Sequence, residues 1–128
     1  NYSYSELSDH CLNKNLKKIN NILNENNYTY EDCIGIIRIM LFKVKRLIIL
    51  KENQKTNTNI DSVISNYKPS IFWKDKELVK SQMKVWNLEN IRKFMYILSE
   101  IELLIKKQNL SAMNILYDFI ISQAKTNN

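Results

Sequence analysis

At 128 residues with one glycine and one proline, the chain is long enough for one compact domain. It is too poor in turn residues for a sandwich, a barrel or a doubly wound sheet, which need them at almost every connection. The formal net charge of +6 favours polyanionic partners, although a lysine-, asparagine- and isoleucine-rich composition with few arginines also reads as the codon bias of an AT-rich genome.

The first element is expected from about Ser5 to Cys11. A second follows on the stripe Leu12, Leu16, Ile19 and Leu23, with Asn13 or Asn15 as its cap and the polar run Asn24 to Asn27 as its end. Thr29 then stands before Tyr30, Glu31 and Asp32, a capping hydroxyl ahead of two carboxylates that suit the positive end of a helix. The helix that starts there is apolar almost all round: Cys33, Ile37, Met40, Val44 and Leu47 make one stripe, Ile34, Leu41 and Ile48 another, with Ile36, Ile39 and Ile49 between. Continued to about Asn53 it is about 37 Å long at ~1.5 Å per residue, longer than a small bundle needs. It is therefore expected to be the central helix, covered on one side by its own domain and on the other, around Ile39, Lys43, Arg46 and Leu50, by a partner.

Asn53 to Asn59, with Thr56 and Thr58, reads as a loop. A short helical turn through Ile60, Val63 and Ile64 follows, and Pro69 blocks its continuation. Leu78, Val79, Met83 and Trp86 predict a short helix from about Asp75 to Trp86, and Asn87 starts the next. In that helix Ile91, Phe94, Leu98, Ile101 and Ile105 form the main stripe, widened by Met95, Ile97 and Leu104, with Lys106 and Lys107 in the last turn where cations suit the dipole. Ser111 is placed as the cap of a final helix with Met113, Leu116, Tyr117, Ile120, Ile121 and Ala124 on its apolar face. The expected class is all-α: residues 1–128 as one bundle of five to seven helices, with more apolar surface than a monomer of this size comfortably hides.

Cys33 reads as a small core hydrophobe, which makes a reducing, cytoplasmic compartment the simpler account of it and Cys11. The apolar run from Cys33 to Leu50 is broken by Arg38, Lys43, Lys45 and Arg46, too many cations for a lipid-facing span. His10 is the only histidine, so neither a catalytic triad nor a multi-histidine metal site is within reach. A phosphate-cradling loop needs several glycines, whereas Gly35 stands alone in a helical pattern, where it marks a close helix crossing or is simply tolerated. Glu100 and Glu102 are two positions apart and point to different faces, so no paired-carboxylate site is supported. No catalytic residue, metal ligand or cofactor-binding residue is assigned.

Lys76, Lys80 and Lys84 recur every four residues on one helix, just after Phe72, Trp73 and Lys74. With Lys74 they form a candidate DNA-facing stripe beside stacking aromatics. The plainer reading is a solvated lysine face with both tryptophans in the core. Lys43, Lys45, Arg46 and Lys51 form a second cationic group, whose stems also cover apolar surface at an interface rim.

Three stretches together resemble the C-terminal collar domain of the delta subunit of the bacterial DNA polymerase III clamp loader. The first is the helix from Leu16 to Leu23 leading into Ile36, Ile37, Arg38 and then Val44, Lys45, Arg46, Leu47. The second is Ile71, Phe72, Trp73, Lys74, Asp75, Lys76 followed by Gln82, Met83, Lys84, Val85, Trp86, Asn87. The third is Ser99, Glu100, Ile101, Glu102 and Leu103 to Lys107. The resemblance runs from about Tyr4 to Ala124, with Asn26 and Asn27 where the family commonly has Gly and Glu102 where it has aspartate.

It implies a collar-type fragment whose N-terminal nucleotide-fold and lid domains lie outside this chain, and whose neighbours are the collars of gamma or tau and of delta prime. The sliding clamp would be reached only through the missing N-terminal domain, and the parent subunit would belong to the polymerase III holoenzyme without carrying its catalytic site. The function expected is non-catalytic assembly of a clamp loader, without membrane association. The alternatives are a helical nucleic-acid-binding domain acting through its lysine faces and a helical toxin, phage or regulatory module.

Overall fold

A computed structural model of the chain describes residues 3–54 and 59–126. Among these it shows seven α-helices and no strand: α1 (Tyr4–Leu12), α2 (Leu16–Glu25), α3 (Tyr30–Asn53), α4 (Ile60–Asn66), α5 (Lys76–Val85), α6 (Leu88–Lys107) and α7 (Ala112–Ala124). Short 3-10 turns at Trp73–Asp75 and Asn109–Ser111 lead into α5 and α7. Thr56 and Thr58 of the expected loop lie outside the described residues. No helix among those described is long and apolar enough to cross a membrane.

Local chemistry sets most of the boundaries. Asn15, Asn59 and Asn87 each accept a backbone N–H at the start of α2, α4 and α6. At the head of α3 the capping is reciprocal: the Asp32 amide donates to the Thr29 hydroxyl at 3.1 Å while the Thr29 amide donates to the Asp32 carboxylate at 2.9 Å. This satisfies two N–H groups that a helix start otherwise leaves orphaned. Two expected boundaries are corrected. Leu12 closes α1 and does not open α2, because Lys14 turns the chain with a φ of 53°. Ser111 stands before α7 but makes no capping hydrogen bond; the preceding 3-10 turn carries the chain into the helix instead.

Helix α3 is the spine. It packs against α1, α4, α5, α6 and α7, and Cys33, Ile36, Ile37, Met40, Val44, Leu47 and Leu50 are buried along it. Gly35 marks the crossing with α1: a Cβ there would lie 2.7 Å from Cε2 of Tyr4, so the absence of a side chain lets the Tyr4 ring lie against α3. The Tyr4 hydroxyl also donates to the Asp32 carboxylate.

A second packing centre joins α5, α6 and α7. The Trp86 and Phe94 rings lie 5.0 Å apart and the Phe94 and Phe119 rings stack at 5.4 Å. The indole N–H of Trp86 donates to the Leu12 carbonyl at 2.8 Å, so its polar atom is satisfied inside the core. Both cysteines are free and buried.

Candidate functional site

No cluster of three or more His, Cys, Asp or Glu gathers among the described residues. A cleft of about 590 Å³ is lined by Ser3, Tyr4, Glu25, Asn26, Asn27, Tyr28 and Asp32. Ser3, Tyr4, Asn26 and Asp32 are engaged in structural hydrogen bonds, whereas the buried Tyr28 hydroxyl has no hydrogen-bond partner among the described residues. Asp32 caps α3 and accepts from Tyr4, and the Tyr4 hydrogen bond, followed by those from Thr29, holds its carboxyl below the ordinary value. Burial pushes the Tyr28 hydroxyl up to about 12 and the Cys33 thiol up to about 11, leaving both protonated and weakly nucleophilic at neutral pH.

The surface feature that stands apart is the outer face of α3 and α6. At ~100° per residue, positions 38, 42, 45, 49 and 52 fall in one narrow stripe of a helix, and on α3 these are Arg38, Phe42, Lys45, Ile49 and Glu52. Phe42 is 61% exposed and Ile49 is 43% exposed. The same spacing on α6 gives Arg92, Tyr96, Ser99 and Leu103, where Tyr96 and Leu103 are also exposed.

Ion pairs tie the two stripes into one surface. Arg38 meets Glu102 at 3.6 Å near one end, and Glu52 meets Arg92 at 2.5 Å near the other, which also shows that α3 and α6 run antiparallel. Between these brackets Phe42, Ile49 and Tyr96 meet solvent, and Leu103 does so one residue beyond Glu102. A shallow depression of about 400 Å³ lined by Arg92, Lys93, Tyr96 and Ile97 extends the surface around α6. Ile97 and Leu104, expected to widen the buried stripe of α6, are instead exposed, because α7 covers α6 on a narrower front than the sequence pattern spans.

The stripe expected to meet a partner lies about one residue further round α3, and most of it is used within the chain. Leu50 is fully buried. Lys43 forms an ion pair with Asp9 of α1 at 3.0 Å, its side chain only 13% exposed. Ile39 and Arg46 are half-buried, and the Arg46 guanidinium rests 5.8 Å from the centre of the Phe42 ring. The four residues therefore do not form one free surface, and the outward stripe begins at the preceding residue of each turn.

The candidate DNA-facing lysines are likewise divided. Lys80 is held by Asp61 of α4 at 3.1 Å and Lys76 is half-buried, whereas Lys74 and Lys84 are exposed. Trp73 is not in the core: it is 70% exposed and Phe72 beside it 57%, while Trp86 is buried as expected. Alternation with charged residues does not distinguish these two tryptophans. The signal that does is position, since Trp73 sits in a turn before a helix and Trp86 at the end of an apolar stripe.

The chain matches no family model, no curated protein and no solved structure.

Proposed function

We propose that this chain is a non-catalytic assembly domain that binds a helical protein partner on the outer face of α3 and α6. The observation that carries the reading is the run of exposed Phe42, Ile49 and Tyr96 between the Arg38–Glu102 and Glu52–Arg92 ion pairs, with exposed Leu103 just beyond Glu102. An apolar centre with a charged rim is the build of a protein interface, and aromatic side chains with arginine are the types enriched there. A partner helix laid along the groove between the two stripes would bury the four apolar side chains together. Lys45, exposed between Phe42 and Ile49, selects for a carboxylate near the middle of that helix.

The particular assembly proposed is the one to which the sequence resemblance points, the collar of a bacterial clamp loader, with the collars of gamma or tau and of delta prime as neighbours. Direct binding of nucleic acid by the α5 lysine stripe has less support, because Lys80 is already engaged by Asp61.

The test is to mix the chain with the collar domains of gamma and delta prime from the same organism, at salt high enough to strip nonspecific nucleic acid. The expected result is co-elution on size exclusion. Phe42→Asp combined with Leu103→Asp should weaken the complex by more than about a hundredfold, since central interface residues each carry about 2 kcal/mol or more. Lys74→Glu with Lys84→Glu should leave it intact. A folded chain that binds neither collar domain would remove the clamp-loader assignment, and a complex indifferent to the two aspartates would move the interface elsewhere.

A further inference from the structure

A second exposed apolar feature has a different chemistry. Phe72 and Trp73 project from the 3-10 turn that enters α5, their ring centres 5.9 Å apart and their planes at 57°, so each ring presents its own face. Between residues 59 and 95 the large exposed hydrophobics are these two alone. The Lys74 ammonium lies 5.4 Å from the centre of the Trp73 ring, and Lys68, four residues before Phe72, is exposed with its ammonium 3.3 Å from the Ser70 hydroxyl.

Of the three nearby carboxylates, Asp61 is taken up by Lys80, whose ammonium reaches both of its oxygens at 3.1 and 3.3 Å. Asp75 and Glu77 stand at the first turn of α5, where they complement the helix dipole. A cleft of about 250 Å³ opens beside Trp73, lined also by Asp61, Ile64, Ser65, Lys76 and Glu77.

A protein partner would have aliphatic surface to bury around these rings, as on the α3 and α6 face. Here the exposed groups are flat π faces and cations, which fit a ligand that is itself flat rings on an anionic backbone. We infer that the Phe72–Trp73–Lys74 turn is a stacking site for single-stranded nucleic acid, with one base on the face of Trp73 opposite Lys74 and the phosphates beside Lys74 and Lys68. The lysine excess is small, so the contact is weak. The site is independent of the α3 and α6 interface.

The chain itself supplies the probe, because Trp86 is buried and Trp73 is exposed. Titration with an oligo-dT of about 12 nucleotides should quench the solvent-exposed component of tryptophan emission saturably and leave the buried component unchanged. For about two phosphates contacted, at a slope of about −0.7 each, affinity should fall about sevenfold between roughly 50 and 200 mM salt. By fluorescence anisotropy of a labelled oligomer, Trp73→Ala should bind at least about fivefold more weakly, with an unchanged thermal unfolding curve.

No saturable quenching would overturn the proposal, as would an affinity that Trp73→Ala leaves unchanged. A blue shift of Trp73 emission on anionic vesicles without any response to the oligonucleotide would also overturn it, and would assign the turn to a bilayer surface.

Discussion

Two stripes of α3 lie about one residue apart and differ in what they serve. On one, Lys43 is drawn into an ion pair with Asp9 and Leu50 is fully buried. On the other, Phe42 and Ile49 face solvent between two ion pairs that fasten α3 to α6. Both stripes mix apolar residues with cations at the same spacing, so composition does not rank them. The difference is made by what packs alongside: α1 and α5 close over one flank of α3, and α6 lies beside the other without roofing it. In a helix that is apolar all round, the face left for a partner is the one the rest of the chain does not reach.

The sharpest way to break this comparison is a pair of neighbouring substitutions. Leu50→Asp places an unpaired carboxylate where the side chain is wholly buried and should cost more than about 4 kcal/mol, enough to unfold a marginal domain. Ile49→Asp, one residue earlier, should move stability by no more than about 1 kcal/mol. Urea unfolding of the two variants decides it; similar midpoints would mean that the two faces of α3 are not distinguished as described.

A somewhat smaller loss is expected at the second packing centre. Trp86→Ala should cost about 3 to 5 kcal/mol, because it empties the space against Phe94 and leaves the Leu12 carbonyl without its donor. Trp73→Ala in the same assay should be silent, which makes the two tryptophans a second inside-outside pair. A stability loss at Trp73 as large as that at Trp86 would show that the exposed turn is structural.

The smallest effects concern the head of α3. Thr29→Ala should cost about 1 kcal/mol through the lost N-cap. The pH dependence there has a definite sign. The folded Asp32 carboxyl lies below its ordinary 3.8, chiefly through the Tyr4 hydrogen bond. Its contribution is therefore complete above about pH 4 and is lost as pH falls through the lower folded value. Asp32→Asn should flatten the acid limb of a stability-pH profile below pH 4 while leaving the neutral region with a constant offset. An acid limb as steep as that of the native chain would exclude Asp32 as its source.

Much of the fold was legible because its signals are local. The cap at Thr29, the asparagine that starts α6, and the buried residues Ile91, Phe94 and Leu98 of α6 all act within a few residues of themselves, so spacing and residue type suffice. The surface was less legible. Ile97 and Leu104 carry the same hydrophobic signal as Met95, yet they are exposed and Met95 is half-buried. Gly35 was ambiguous until the ring of Tyr4 was found against it, since a close crossing depends on a residue 31 positions earlier.

The sequence by itself determined that this protein is helical, where α3 and α6 begin, and that a long apolar helix lies at its centre, because backbone capping and 3.6-residue periodicity are properties of short stretches. Tertiary structure alone decided which side of that helix is open and which lysines keep their charge free. Those outcomes depend on the angle at which α1, α5 and α6 meet α3, and a rotation of one residue, about 100°, exchanges a core position for a surface one.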